Sequence, residues 1–151
     1  MILISACFAN VKCRYDGKAK RVDWIEALYK EGMAIPICPE VLGGLPTPRT
    51  SCEICESEGH RLVIDRNGID RTSEFMIGAE RAILVAKACD VKVAILKANS
   101  PSCGYREIYD GTFSGNKVTG NGFTSELLIK QGIRIFNEDE KDAFFSYMQD
   151  I

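Results

Sequence analysis

Seven cysteines stand in this chain of 151 residues, and three of them share a setting. Cys7 closes the run Ile2-Leu3-Ile4-Ser5-Ala6, Cys38 follows Met33 to Ile37, and Cys103 follows Lys92 to Lys97 through Asn99-Ser100-Pro101-Ser102. Each run is short, apolar and β-prone, as a buried strand requires. Thiolate sulfur prefers zinc and iron–sulfur clusters to hard cations, so three thiolates at one edge suit a soft metal centre. A cubane cluster held by three protein ligands leaves one iron able to take a substrate atom and act as a Lewis acid. The competing reading is three core cysteines, since free Cys is among the most buried residue types.

Residues beside these cysteines carry groups that catalysis uses. Glu40, in Cys38-Pro39-Glu40, is tethered near the second cysteine and is a candidate proton acceptor or donor, against a solvated surface carboxylate as the plain alternative. Ser100 and Ser102 flank Pro101 just before Cys103 and either orient a polar substrate or cap a turn. Arg49 and Arg14 are candidates for holding a substrate's polar edge. Cys52-x-x-Cys55 has the spacing of a metal or redox pair, and Cys13 is a further loop cysteine. His60 is the only histidine, which excludes a His-based metal centre and places no base beside a cysteine.

The elements that must position these residues alternate in type. After the first strand, Asp23 caps a helix carrying Trp24, Ile25, Leu28 and Tyr29, with Gly32 at its end. The Pro and Gly residues from Pro39 to Pro48 forbid a long helix after the second strand. Arg61 to Ile69 reads as a hairpin or short excursion turning at Asn67-Gly68. Phe75, Ala79, Ala82, Ile83, Ala86 and Cys89 mark the buried stripe of a helix, and Val93-Ala94-Ile95-Leu96 the third strand. Beyond a Gly-rich loop come a helix over Phe123 to Gln131, a strand at Ile133 to Phe136, and a last helix capped by Asn137 and Glu140. This alternation predicts an α/β fold of three layers, a mostly parallel, Rossmann-like sheet flanked by helices, with ligands beyond the carboxyl ends of the strands. Cys7, Cys38 and Cys103 all fall at that edge.

Length and an apolar content of 46% predict a single domain over residues 1–151. The run Ile2 to Phe8 is too short to span a bilayer and has no basic leader, so the expectation is a cytoplasmic protein without a membrane segment. Reduced thiols in that compartment favour metal or catalysis over disulfides. A net charge of -2, without a long basic block, argues against an extensive nucleic-acid surface and for a small-molecule substrate.

Several stretches together resemble one family. They are Ile4-Ser5-Ala6-Cys7, Cys13-Arg14-Tyr15-Asp16-Gly17, the run from Cys38-Pro39-Glu40 to Pro48-Arg49, Ile95-Leu96-Lys97 with Ser100-Pro101-Ser102-Cys103-Gly104, and Asp110-Gly111-Thr112-Phe113-Ser114-Gly115. They are similar to the compact bacterial domain associated with 2-thiouracil desulfidases, over nearly the whole chain. The resemblance implies a 4Fe-4S cluster ligated by Cys7, Cys38 and Cys103, whose free iron captures the sulfur of a thiocarbonyl while water replaces it on the ring. It also implies that Glu40 and Ser100 assist proton transfer. Phe8-Ala9-Asn10 and Ser51-Cys52-Glu53 depart from the family's usual residues, which implies a differently shaped substrate.

Two other readings stand beside desulfidation. One is a metal-binding module without turnover, with zinc held by Cys13, Cys52 and Cys55; the other is a carrier that passes sulfide or a cluster to a partner.

Overall fold

The computed structural model describes residues 1–151. In chain order the elements are β1 (Ile2–Ser5), a 3-10 turn (Ala6–Ala9), α1 (Asp23–Lys30), β2 (Ala34–Ile37), α2 (Pro39–Leu42), β3 (Cys52–Ser57), β4 (His60–Asp65) and α3 (Thr72–Ala88). There follow β5 (Val93–Ile95), β6 (Glu107–Tyr109), β7 (Lys117–Thr119), α4 (Phe123–Lys130), β8 (Arg134–Phe136) and α5 (Lys141–Gln149).

The expected parallel sheet is present, with strand order β2-β1-β5-β8. Leu3 lies level with Ile35 on one side and Ala94 on the other, and Ala94 with Ile135. Alternate residues therefore face opposite layers. Ile2, Ile4, Val93, Ile95 and Phe136 pack with Ile25 and Leu28 of α1 and Phe144 of α5. Leu3, Ala94, Leu96 and Ile135 pack with Ala82, Ile83 and Ala86 of α3 and Leu128 of α4. Both faces are covered, which is why the strands read as unbroken apolar runs. The chain steps from β1 outward to β2, then crosses back to β5 and outward to β8. The order therefore reverses between β1 and β5, where open α/β sheets leave a crevice for ligands.

Two hairpins outside the sheet differ from the sequence reading. The first turn is at Glu58-Gly59, not Asn67-Gly68: β3 and β4 pair antiparallel from Cys52–Asp65 to Ser57–His60. Both turn residues have positive φ, 52° and 79°, as a two-residue hairpin loop of this twist requires. Asn67-Gly68 does turn the chain, but the Asp65 carboxylate accepts the N–H groups of Asn67 and Ile69 and closes the turn locally. Only one further bridge forms, Ile64 to Asp70. The second hairpin, β6–β7, lies within the Gly-rich stretch expected to be loop.

Helix α2 lies directly on α3. A Cβ on Gly43 would stand 2.0 Å from the Glu74 carbonyl oxygen, and one on Gly78 2.0 Å from that of Pro39. Only glycine permits this approach, and it fixes where Cys38 and Glu40 begin. No helix is long and apolar enough to cross a membrane.

Candidate metal centre

The carboxyl ends of β1, β2 and β5 open onto one cavity of about 350 Å³, and Cys7, Cys38 and Cys103 all line it. Cys7 enters from the 3-10 turn after β1, and Cys38 from the extended residue between β2 and α2. Cys103 sits in the turn after β5, where the Ser100 hydroxyl accepts the Cys103 N–H at 2.7 Å. Gly122 allows that turn to meet α4, since a Cβ there would stand 2.5 Å from the Ser102 carbonyl. The remaining residues picked from the sequence, Arg14, Glu40, Arg49, Ser100 and Ser102, line the same cavity.

The polar groups form a connected set. Ser102 Oγ donates to Glu40 Oε2 at 3.0 Å and lies 3.2 Å from Ser100 Oγ and 3.7 Å from Cys103 Sγ. Ser102, not Ser100, is thus the hydroxyl that touches the carboxylate. Arg49 Nε donates to Glu40 Oε1 at 3.0 Å. Its other donors reach the carbonyl oxygens of Pro46 and Cys13, the Thr47 hydroxyl, and Cys38 Sγ at 3.9 Å. With 5% of its side chain exposed, Arg49 is a buried clamp between the carboxylate and the two cysteines. Arg14 pairs with Asp16 at 3.5 Å, while its buried Nε has no protein partner.

Burial pushes the Cys7 thiol up to about 11, although Lys97 counteracts it, and pushes Cys103 up to about 12 against hydrogen bonds from Ser5 and Ser102. Cys38 goes the other way, to about 6. A hydrogen bond with the Cys13 thiol favours its thiolate most, with further help from the Val41 N–H and the Arg49 charge. Cys13 is correspondingly raised.

No three Cys, His, Asp or Glu side chains converge closely enough to hold a single metal ion. That overturns zinc at Cys13, Cys52 and Cys55. The reason is strand geometry: three residues apart on β3, Cys52 and Cys55 point to opposite faces. Cys52 faces the cluster of Leu45, Ile54 and Val63, and Cys55 Sγ donates to the Gly111 carbonyl at 3.6 Å. Three thiols spread around a cavity do fit a polynuclear cluster, in which each thiolate ligates a different iron and the ligands surround the group.

Some lining residues escaped the sequence reading. Cys13 lies in a loop as expected, but that loop stands beside Cys38, and Ser5 and Lys97 line the cavity at the end of β1 and just beyond β5. Glu53, Arg66, Tyr109 and Phe113 form its outer wall. Phe113 belongs to the Asp110 to Gly115 stretch that carries the resemblance, and Glu53 to the Ser51-Cys52-Glu53 departure from it; nothing in the sequence singled out Arg66 or Tyr109.

The model of the 2-thiouracil desulfurase family matches residues 2–140. The chain belongs to that family. It is 41% identical over 146 residues to a Bacillus subtilis (strain 168) protein called YbbK and described as uncharacterized, covering 93% of this chain and 97% of that one. Among solved structures, the one titled [4Fe-4S]-dependent thiouracil desulfidase TudS superposes with a TM-score of 0.91 at 41% identity, covering 99% of this chain and 98% of the other. The three-layer fold expected from the alternation of elements is that of this desulfurase family member's relative as well.

Proposed function

We propose that this chain is a 4Fe-4S-dependent desulfidase that removes sulfur from a thiolated pyrimidine like 2-thiouracil, or from a related small thioamide, and releases sulfide. It works as one domain on a small molecule in the cytoplasm. The observation that carries the reading is the meeting of Cys7, Cys38 and Cys103 with a Glu40–Ser102–Ser100 hydrogen-bonded chain on one cavity. Full-length similarity to a protein titled a [4Fe-4S]-dependent thiouracil desulfidase supports it.

Cys7, Cys38 and Cys103 are the ligands in this reading. When bound, the cluster supplies a soft Lewis acid for the sulfur of the thiocarbonyl. Glu40 is the general base. Arg49 and Ser102 occupy one position on each of its oxygens, which leaves acceptor sites for the attacking water. Ser102 and Ser100 carry a proton between that carboxylate and the turn that bears Cys103. Arg49 acts as a positioning residue, because its donors already face protein atoms. Arg14 holds the substrate's polar edge with its unpartnered Nε.

Anaerobically reconstituted protein mixed with 2-thiouracil should release sulfide and uracil in equal amounts. Iron-loaded protein that yields no sulfide from any thiouracil or thioamide, yet transfers its cluster rapidly to an apo-acceptor, would establish the carrier reading instead.

A further inference from the structure

The outer wall of the cavity is built with care that the desulfidation chemistry alone does not require. Phe113 is a half-buried aromatic residue at a φ of 56°, a conformation that non-glycine residues avoid and keep only when their surroundings impose it. The imposing group is Glu53. With 8% exposure, its Oε1 accepts the N–H of Gly111 at 3.0 Å and that of Phe113 at 3.1 Å. Cys55 holds the same loop through the Gly111 carbonyl at 3.6 Å. Gly111 sits so close to β3 that a Cβ would stand 2.8 Å from the Ile54 carbonyl oxygen. The β3–β4 hairpin therefore grips the loop between β6 and β7 and sets Phe113 against the cavity. Arg66, from the end of the same hairpin, lies with its guanidinium 5.0 Å from the Phe113 ring centroid, and both side chains line the cavity.

We propose that Phe113 and Arg66 form a stacking wall that selects flat heteroaromatic rings over other thioamides, and that Glu53 is the positioning residue that holds Phe113 in place. With the guanidinium over one face of the phenyl ring, the two groups make a single flat stack that recognises a further ring by its face without reading its substituents. The cavity of about 350 Å³ would hold the cluster as well, and the space left beside it suits a ligand no larger than one ring. This inference rests on the reading of the cavity as a desulfidase site and names the part of the substrate that the outer wall recognises.

The test uses iron-loaded protein with 2-thiouracil as substrate and uracil, which has no sulfur to lose, as a binding probe followed by calorimetry. Phe113→Leu should raise KM for 2-thiouracil and Kd for uracil together, about tenfold, with kcat and the visible spectrum unchanged. Phe113→Tyr should restore both. Arg66→Met, at an exposed position, should move both constants about threefold in the same direction. Glu53→Leu should reproduce the Phe113→Leu result, whereas Glu53→Gln, whose carbonyl oxygen still accepts both N–H groups, should behave as wild type. Unchanged uracil binding in Phe113→Leu and Arg66→Met overturns the wall. Equal defects in Glu53→Leu and Glu53→Gln overturn the role given to Glu53. Wild-type protein that binds uracil in a Phe113-dependent way but releases no sulfide supports the wall and counts only against desulfidation.

Discussion

Glu40 is held by Arg49 on one oxygen and Ser102 on the other, so its orientation is determined before any substrate arrives. Replacing it with Gln removes the base while keeping both contacts possible. Glu40→Gln should lower kcat by about 10²- to 10⁴-fold with iron content unchanged, measured as sulfide release from reconstituted protein. The thiols differ in a way that alkylation reads directly. In metal-free protein, Cys38 is a thiolate above pH of about 6, whereas Cys7 stays protonated to about 11 and Cys103 to about 12. Iodoacetamide at neutral pH should label Cys38 ahead of the other two, and its rate should fall as pH drops through about 6; peptide mapping by mass spectrometry checks this. Equal labelling of all three would contradict the arrangement of Cys13 and Arg49 around Cys38. At this scale the sequence exposed the three strand-end cysteines, Glu40 and the serine pair, because each adjoins a recognisable strand. It marked Glu53 only as part of a departure from the family and hid its contacts, because its partners are backbone N–H groups 58 and 60 residues away.

Among the elements, α2 carries Glu40 and begins at Cys38, and it is held against α3 through Gly43 and Gly78. Gly78→Ala places a methyl group against the Pro39 carbonyl and must push α2 outward. It should destabilise the fold by about 1–3 kcal/mol in a denaturant titration and reduce iron uptake, although position 78 is not among the cavity residues. A variant with wild-type stability and full iron would show that α2 can move without disturbing Cys38. The sequence placed α3 correctly from its apolar stripe, but a lone glycine in a helix does not announce what rests on it. Equally, Asn67-Gly68 is the stronger turn signal, and Glu58-Gly59 made the hairpin because β3 and β4 flank it with pairing residues of equal length.

For the molecule as a whole, the proposed ligands hang from three neighbouring strands of one sheet, β2, β1 and β5. A cluster bound there ties the sheet edge together and binds the folded chain alone. Iron-loaded protein should therefore melt about 5–10 °C above metal-free protein under anaerobic conditions, by calorimetry. Identical melting temperatures would mean that the thiols do not share a ligand. The alternation of strands and helices made the sheet legible, but not which strands neighbour one another, since that depends on a crossover of more than fifty residues between β2 and β5. The central place of β1 carries a consequence for how the protein is made. Of the four strands of this sheet β1 is made first and can pair with β2 early, yet its other edge stays open until β5 has been synthesised. Cys103 emerges after that. A nascent chain thus carries two of the three thiols long before the third, and a cluster that needs all three can be inserted only after Cys103 has emerged.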